Sequence, residues 1–200
     1  ALGNKFTIEF FAKLKSTDQN YKNYTILSYG ENNQEFIHIY NKYDNSESKN
    51  YLVIDTEYNN PENSTTTYRK VDITNYINKW TYYVFVYKEN NELNLYINTK
   101  LFQIQADNPI DNNTLNNQDQ NQLQYSPAKG EIYIGADKMN EKYYHNFNGY
   151  IHSLLIWKEN KTIDYISEIY NSFIHFNNRN NRIKYNNIKQ IYDLKNISDQ

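Results

Sequence analysis

Three ring-bearing side chains stand next to one another in the C-terminal half of the chain, Tyr143, Tyr144 and His145. Adjacent rings in a loop at the rim of a domain offer faces on which a sugar or a partner's side chain can stack, and amide-rich loops nearby can supply hydrogen bonds. We predict that these residues line a ligand-binding surface, with Tyr58 of the polar segment 57–67 as a further member. The competing interpretation is compositional, because the chain contains 22 tyrosines.

The sequence lacks the carboxylate pattern of a glycoside hydrolase. Such enzymes need two carboxylates close together, often from Glu-x-Asp-x-x-Glu on one strand, so that one is the nucleophile and the other the acid. No predicted strand carries that spacing. Asp55 and Glu57 share one face, but they stand at a strand end beside a polar loop, so a solvated edge is predicted for them. The four histidines have no partner at the spacing of a metal site or a triad. We predict that the protein is not an enzyme.

Charge and composition exclude several classes of partner. The formal net charge is −2 and the acidic and basic residues are interleaved, so there is no basic stripe for nucleic acid and no polybasic patch for anionic lipid. No apolar run approaches the roughly 20 residues that span a bilayer. The absence of cysteine excludes disulfides and Cys-based zinc sites. Because the chain starts at Ala1 without a signal segment, we interpret it as a mature or excised piece of a larger chain or assembly.

The elements that must position the candidate residues are predicted to be strands, and the clearest two lie within 72–102. Residues 80–87 are apolar or aromatic on both sides of the pleat, which is typical of a strand inside a sandwich. Residues 93–97 alternate between apolar and polar, as in a strand with one wet face. The polar run 88–92 suits a hairpin loop between them.

Further short strands and turns are predicted along the rest of the chain. Segment 105–125 is the longest predicted loop. Segment 163–170 has helical spacing, with Asp164 placed to cap it. Repeated short strands with turn signals predict an all-β sandwich. The predicted strands are 6–14, 25–29, 36–40, 51–55, 68–71, 131–134 and 149–157.

Five blocks in order resemble the laminin-G and pentraxin-like group of concanavalin A-type jelly rolls: FTIEFFAKL, YTILSYG, INKWTYYVFVYKENNELNLYINTKLF, IYIGADK, and FNGYIHSLLIWKE followed by ISEIYN. DITNYINKW with YINTKL is also similar to the lectin-like half of the receptor-binding region of clostridial neurotoxins. The resemblance implies two antiparallel sheets packed face to face as a jelly-roll β-sandwich over residues 1–171, with Trp80 and Trp157 in or near the core. Residues 172–200 are interpreted as a polar tail or linker, which in the neurotoxins would lead to a β-trefoil domain.

The resemblance also raises the question of calcium. Pentraxins place a Glu-Gln-Asp cluster after the strand that here ends at Gly135, whereas this chain has Asp137 beside a lysine. Calcium requires six to eight oxygen ligands, and Asp107 and Asp111 in the long loop could add some. Two alternatives follow. Either these three aspartates bind calcium, or they are solvent-exposed polar residues of loops and the protein has no cofactor.

The resulting functional prediction is a non-catalytic recognition module that binds glycans or glycosylated surfaces through rim loops, in a lectin-like manner. This prediction relies on analogy of fold. The alternative is a protein-interaction or structural domain of a larger polypeptide or assembly. An extracellular or cell-surface location is expected in either case.

Overall fold

The computed structural model describes residues 5–16, 23–31, 34–60, 63–88, 92–104, 130–139 and 142–177, and these ranges contain twelve strands and one α-helix. The strands are β1 (Phe6–Leu14), β2 (Asn23–Glu31), β3 (Gln34–Asp44), β4 (Lys49–Asn60), β5 (Asn63–Asp72), β6 (Trp80–Tyr87), β7 (Leu93–Ile97), β8 (Lys100–Gln103), β9 (Glu131–Ile134), β10 (Asp137–Met139), β11 (Lys142–Tyr144) and β12 (Gly149–Trp157). A 3-10 turn, Thr74–Tyr76, precedes β6.

The strands form two five-stranded sheets and one small hairpin. The first sheet has the order β12-β1-β6-β7-β8 and the second has the order β5-β4-β3-β2-β9, while β10 and β11 pair with each other. Every paired strand is antiparallel to its neighbour. The architecture agrees with the predicted jelly-roll β-sandwich.

The hydrophobic core lies between the inner faces of the two sheets. Alternate residues of β1 are buried in it, and the ring of Phe10 lies 5.3 Å from that of Tyr83 and 5.9 Å from that of Phe85, measured between centroids. The second sheet contributes aliphatic side chains and Tyr29. Large rings therefore fill much of the core, which explains how a chain with 38% hydrophobic residues buries enough apolar surface.

Strand β6 is buried on both faces from Thr81 to Tyr87, as its pattern predicted. Trp80, however, is 44% exposed and does not pack against the core, so the expectation that it lies in or near the core is wrong. It begins β6 opposite Lys13, and the alternation of the strand turns it away from the core residue Tyr83. Trp157 is half-buried at the end of β12.

The buried carboxylate of Glu9 connects three strands of the first sheet. Glu9 is 2% exposed, although its position in β1 alternates with the core residues. The indole Nε1 of Trp157 in β12 donates a hydrogen bond of 2.8 Å to its Oε1, and the hydroxyl of Tyr82 in β6 donates to its Oε2. Because β1 pairs with both β12 and β6, these hydrogen bonds connect the three strands on the sheet face that points away from the core.

Strands β4 and β5 form a longer hairpin than the sequence predicts. Their pairing extends to Asn60 and Asn63, so the loop predicted over 57–67 is wrong, and Tyr58 lies on strand β4 opposite Thr65. The threonines of β5 are β-branched and favour strand geometry.

A tight turn joins β7 to β8. Ile97 pairs with Lys100, and the two intervening residues have positive φ values, 48° for Asn98 and 72° for Thr99. This is the backbone of a type I′ hairpin turn. The side-chain Oδ1 of Asn98 accepts a 2.9 Å hydrogen bond from the backbone N–H of Tyr82, whereas Thr99 is a β-branched residue in a region that glycine prefers.

The chain divides into two compact units, 1–161 and 162–200, and the second contains helix α1 (Ile163–Asn177). The helix is longer than predicted because apolar residues continue at helical spacing to Phe173, so the boundary predicted after residue 171 falls inside it. Its N-cap is Thr162, whose Oγ1 accepts from the backbone N–H of Tyr165 at 3.3 Å; Asp164 lies within the first turn. In the described part of the chain no helix is long and apolar enough to cross a membrane.

Replacing Glu9 by alanine should destabilise the sandwich. The variant leaves the Trp157 Nε1–H and the Tyr82 hydroxyl without their acceptor, at a cost on the order of 3 kcal/mol in the free energy of unfolding. Glu159→Ala is the matched control, because Glu159 is 61% exposed and its ion pair with Lys161 lies at the surface. Urea denaturation of both variants measures the difference. Equal stabilities would contradict the structural role of Glu9.

Replacing Thr99 by glycine should stabilise the protein. Glycine removes the steric cost of a positive φ at a β-branched residue and adds some unfolded-state entropy, leaving a gain of about 0.5–1 kcal/mol. Asn98→Gly in the same turn is the control, because it also removes the hydrogen bond to the Tyr82 N–H and should not stabilise. Thermal unfolding of the two variants distinguishes them, and a destabilised Thr99→Gly would refute a strained turn.

Candidate functional site

The β10–β11 hairpin brings together two residues that the sequence assigned to different sites. Asp137 pairs with Tyr144 in the hairpin, so the next residue, His145, reaches the Asp137 carboxyl. The two side chains are joined by a 2.9 Å contact between His145 Nδ1 and Asp137 Oδ2. Asp137 is buried, whereas the His145 side chain is 46% exposed. The contact fixes the ring through Nδ1 and leaves Nε2 as its other polar atom.

The backbone around His145 is anchored to β2. His145 has a φ of 51°, and its carbonyl accepts a 2.8 Å hydrogen bond from the backbone N–H of Thr25. Two residues further on, the N–H of Phe147 donates to the carbonyl of Gly135 at 2.7 Å, and the Gly135 N–H donates to the Ile26 carbonyl at 3.0 Å. These bonds hold the segment that carries His145 against the sheet, so the imidazole is presented from a rigid support.

A second histidine, His38, lies behind this pair on the outer face of β3. Its Nε2 is 2.8 Å from the Thr25 hydroxyl, and its ring contacts that of Tyr40 with centroids 4.6 Å apart. Burial lowers the pKa of His38 to about 4, against the opposing effect of Asp137 and with a smaller lowering by His145. His38 is therefore uncharged at neutral pH. No spacing in the sequence groups His38 with His145.

The carboxyl of Asp55 continues this polar face across the sheet. Asp55 pairs with His38 in the β3–β4 register. Burial raises the pKa of Asp55 to about 6, partly offset by a hydrogen bond from Tyr40 and by the charge of Lys42. The Oδ1 atoms of both Asp55 and Asp137 are buried and have no hydrogen-bond partner among the described residues. The predicted solvated edge at Asp55 is therefore wrong, because the side chain lies on the sheet face.

Tyrosines and lysines complete the outer face of the second sheet. Tyr40, Tyr51 and Val53 form a buried cluster against which Tyr68 packs. Lys42 lies over the Tyr68 ring at 5.8 Å and Lys70 over the Tyr51 ring at 4.6 Å, from Nζ to centroid. This face is thus a mixed polar and aromatic surface.

The structure places the residues predicted to bind a ligand in different elements. Tyr144 is 42% exposed, and its ring lies 6.4 Å from that of His145. Tyr143 lies on β11 opposite Lys138, and Tyr58 on β4 opposite Thr65, so neither is in the loop predicted for it. The exposed pair Tyr144 and His145, with Asp137 beneath, remains the candidate for binding.

The predicted calcium ligands are only partly described. Asp107 and Asp111 lie outside the described residues, and the partner of Asp137 is His145. Among the described residues, no three histidine or acidic side chains are grouped so as to hold a metal ion. A calcium site that combines the three aspartates stays a prediction.

Solved structures with this fold include receptor-binding portions of botulinum neurotoxins. The receptor-binding domain of botulinum neurotoxin D aligns with a TM-score of 0.56 at 16% identity, over 85% of this chain and 37% of that chain. A structure of botulinum neurotoxin type C, whose cell entry depends on interaction with two ganglioside molecules, aligns with a TM-score of 0.54 at 20% identity, over 84% of this chain and 35% of that chain. At such identities the likeness concerns the fold.

This chain spans little more than a third of the length of those solved chains. No curated protein sequence matches it. The family profile described as the concanavalin A-like lectin/glucanases superfamily matches residues 1–167, which is most of the chain. The chain therefore belongs to the concanavalin A-like lectin/glucanases superfamily.

Proposed function

We propose that this protein is a non-catalytic recognition module that binds a glycan or a glycosylated surface through the rim site, formed by Tyr144, His145 and Asp137. The observation that carries the proposal is the fixed imidazole. His145 is half-exposed, its Nδ1 is held by the buried Asp137, and the exposed Tyr144 ring lies beside it.

The rim site has the chemistry that a saccharide requires. The face of the Tyr144 ring can stack on the C–H groups of a pyranose, and the free Nε2 of His145 can hydrogen-bond a hydroxyl. Each carboxyl already has a partner for one oxygen, His145 for Asp137 and the Tyr40 hydroxyl for Asp55. This arrangement supports binding rather than an acid and nucleophile pair.

The charge of the underlying face favours an uncharged saccharide. His38 contributes no positive charge at neutral pH, because burial holds its pKa at about 4. Asp55, with a pKa of about 6, is mostly ionised there and offsets the positive charge of the nearby Lys42, so these groups present no excess of positive charge to a ligand. A ligand that offers hydroxyl groups is therefore better suited to the rim site than an anionic one.

The structural neighbours support a recognition role with either of two kinds of partner. Botulinum neurotoxin type C interacts with ganglioside molecules, and the binding domain of botulinum neurotoxin DC forms a complex with rat synaptotagmin II. A protein-interaction role within a larger chain is thus the second candidate. Both roles agree with an extracellular or cell-surface location.

Binding on a glycan array should depend on the rim site. Tyr144→Ala and Asp137→Asn each remove an interaction on the order of 1 kcal/mol, so each should weaken the binding of a recognised glycan by about fivefold to tenfold. Tyr96→Ala, which truncates a half-buried tyrosine on the other sheet, is the control. The array is run with calcium and again with a chelator.

The outcomes of this assay separate the candidates. Binding that survives the chelator and falls in the two rim variants supports the proposal. Binding that is lost when the chelator removes calcium would instead indicate a calcium-dependent site that involves Asp107, Asp111 and Asp137. A folded wild-type protein that binds no glycan would favour the protein-interaction role.

The buried groups behind the rim site should also set the pH dependence of stability. The pKa of His38 falls from 6.5 to about 4 on folding, so the unfolded chain takes up this proton first and stability is lost as pH falls through that window. The pKa of Asp55 rises from 3.8 to about 6, so the folded chain is protonated first and stability is gained as pH falls. The two effects oppose each other between about pH 6 and pH 4.

Removing either Asp55 or His38 should therefore reveal the effect of the remaining group on the pH dependence of stability. Relative to wild type, Asp55→Asn should lose stability from about pH 6 to pH 4, by on the order of 1 kcal/mol per pH unit. His38→Gln should show the opposite trend. Urea denaturation of wild type and the two variants at several pH values measures how the free energy of unfolding of each depends on pH. Parallel pH profiles would contradict the assignment of opposing pKa shifts.

A further inference from the structure

Exposed rings also gather on the outer face of the first sheet, apart from the rim site. Trp80 is 44% exposed and Tyr150 is 54% exposed. Their centroids are 6.4 Å apart with the planes at 45°, and the ring of His152 meets that of Trp80 edge-on at 6.3 Å. We call these three residues, together with Lys13 and Lys15, the ring patch.

The register of the sheet builds the ring patch. Lys13 in β1 lies opposite Trp80 in β6 on one side and opposite Tyr150 in β12 on the other. The β1–β12 register shifts between Phe11 and Ala12, and His152 is the residue of β12 that the pairing skips. A bulge of this kind redirects a side chain. Here it brings the His152 ring to Trp80, on the same face as Tyr150.

A glycine allows the close approach that places Tyr150. Gly149 has a φ of 155°, and a Cβ at this position would lie 2.4 Å from the carbonyl oxygen of Lys13. Any other residue would push the start of β12 away from β1. The glycine lets β12 pair closely enough for Tyr150 to stand beside Lys13.

Positive charge is concentrated at the ring patch. Lys15 Nζ lies 5.4 Å from the centroid of the Tyr150 ring, and Lys13 is placed between the two largest rings by the register. Within the described ranges, neither lysine forms an ion pair with a carboxylate. In a chain of net charge −2, the patch thus combines ring faces with two cations that lack a carboxylate partner there.

We propose that the ring patch is a binding site for an acidic saccharide. The rings of Trp80 and Tyr150 contact the C–H faces of the sugar, and the ammonium groups of Lys13 and Lys15 bind its carboxylate. Unlike the rim site, this site selects a negative charge. It requires neither the rim site nor its ligand.

Other occupants fit the ring patch less well. A peptide that adds a strand binds along a sheet edge. The edge strand here is β12, whereas Lys13 and Trp80 lie on the inner strands β1 and β6, where an added strand would not reach them through ladder hydrogen bonds. An anionic membrane is bound by clusters of about four to eight basic residues, and the patch has two lysines. An acidic saccharide needs a ring face for its C–H groups and, a few ångströms away, a cation for its carboxylate. The ring patch provides both.

The test uses matched pairs of oligosaccharides on an array, each pair a carboxylated glycan bearing sialic acid or glucuronic acid and its neutral counterpart. We expect acidic members to bind the whole chain and their neutral counterparts to bind at least tenfold more weakly. Lys13→Gln and Trp80→Phe should each weaken the acidic glycan about fivefold to tenfold. Lys88→Gln is the matched control, because Lys88 is paired with Glu92 in the β6–β7 hairpin. Affinity for the acidic glycan should also fall as ionic strength rises.

Tryptophan fluorescence locates the ligand independently. The chain has two tryptophans, and Trp157 is half-buried with its indole bonded to Glu9. A titration with the acidic glycan should change the emission of wild type and leave that of Trp80→Phe unchanged. This readout separates the ring patch from the rim site, which contains no tryptophan.

Several results would overturn the proposal. They are the absence of binding by every acidic glycan, equal binding of acidic and neutral partners, and binding that the Lys13 and Trp80 variants leave intact. Binding to phosphatidylcholine vesicles that contain phosphatidylserine, without binding to the acidic glycans, would instead assign the patch to a lipid surface. Circular dichroism of each variant confirms that a loss of binding is not a loss of fold.

Discussion

Strand β1 depends on two partners that lie far from it in the sequence, and the first sheet depends on β1. It is buried on both faces over nearly its whole length and pairs with β6 on one side and β12 on the other. On the core side, Phe10 packs on the rings of β6. On the opposite side, Glu9 joins the two neighbouring strands by hydrogen bonds. The ring patch exists only when this three-strand unit is complete, because each of the three strands supplies at least one of its members.

The two candidate binding surfaces are built on different principles. The rim site relies on backbone hydrogen bonds that hold a short hairpin and the following residue against β2, so that one imidazole has a fixed orientation. The ring patch relies on the register of three long strands, with a bulge and a glycine that adjust the position of two rings. The first offers hydrogen bonding above a face that carries the ionised Asp55, and the second offers cations beside large rings. Their difference in charge is the basis for assigning them different ligands.

The sequence was sufficient to predict the fold because alternation along strands is a local property. The pattern of β6 predicted burial on both faces, and that prediction is confirmed. What periodicity could not predict was the environment of each outward face. Glu9 and Trp80 both alternate with core residues, yet one is buried with two donors and the other is exposed. The difference depends on which strands lie alongside, and that information is not local.

The candidate site was predictable only in part for the same reason. The ring pair Tyr144 and His145 was identified because the two residues are adjacent in the sequence, and Asp137 was identified from the resemblance. Their contact depends on a hairpin of two three-residue strands, which is too short to give a periodic signal. His38 and Asp55 belong to separate strands, and only the β3–β4 register brings them opposite each other. A scan for motifs along the chain cannot find groups that meet across strands.

The pairing of β1 with β12 has a consequence for synthesis of the chain. On the ribosome the apolar segment FTIEFFAKL of β1 is made before either of its partners, and β12 is made only after most of the sandwich has been translated. At typical elongation rates this delay is on the order of ten to thirty seconds. During that time one edge of an aromatic, β-prone strand has no partner, which is a hazard for aggregation. Protection by a chaperone or by the ribosome surface would therefore matter most for β1, until β12 has been made.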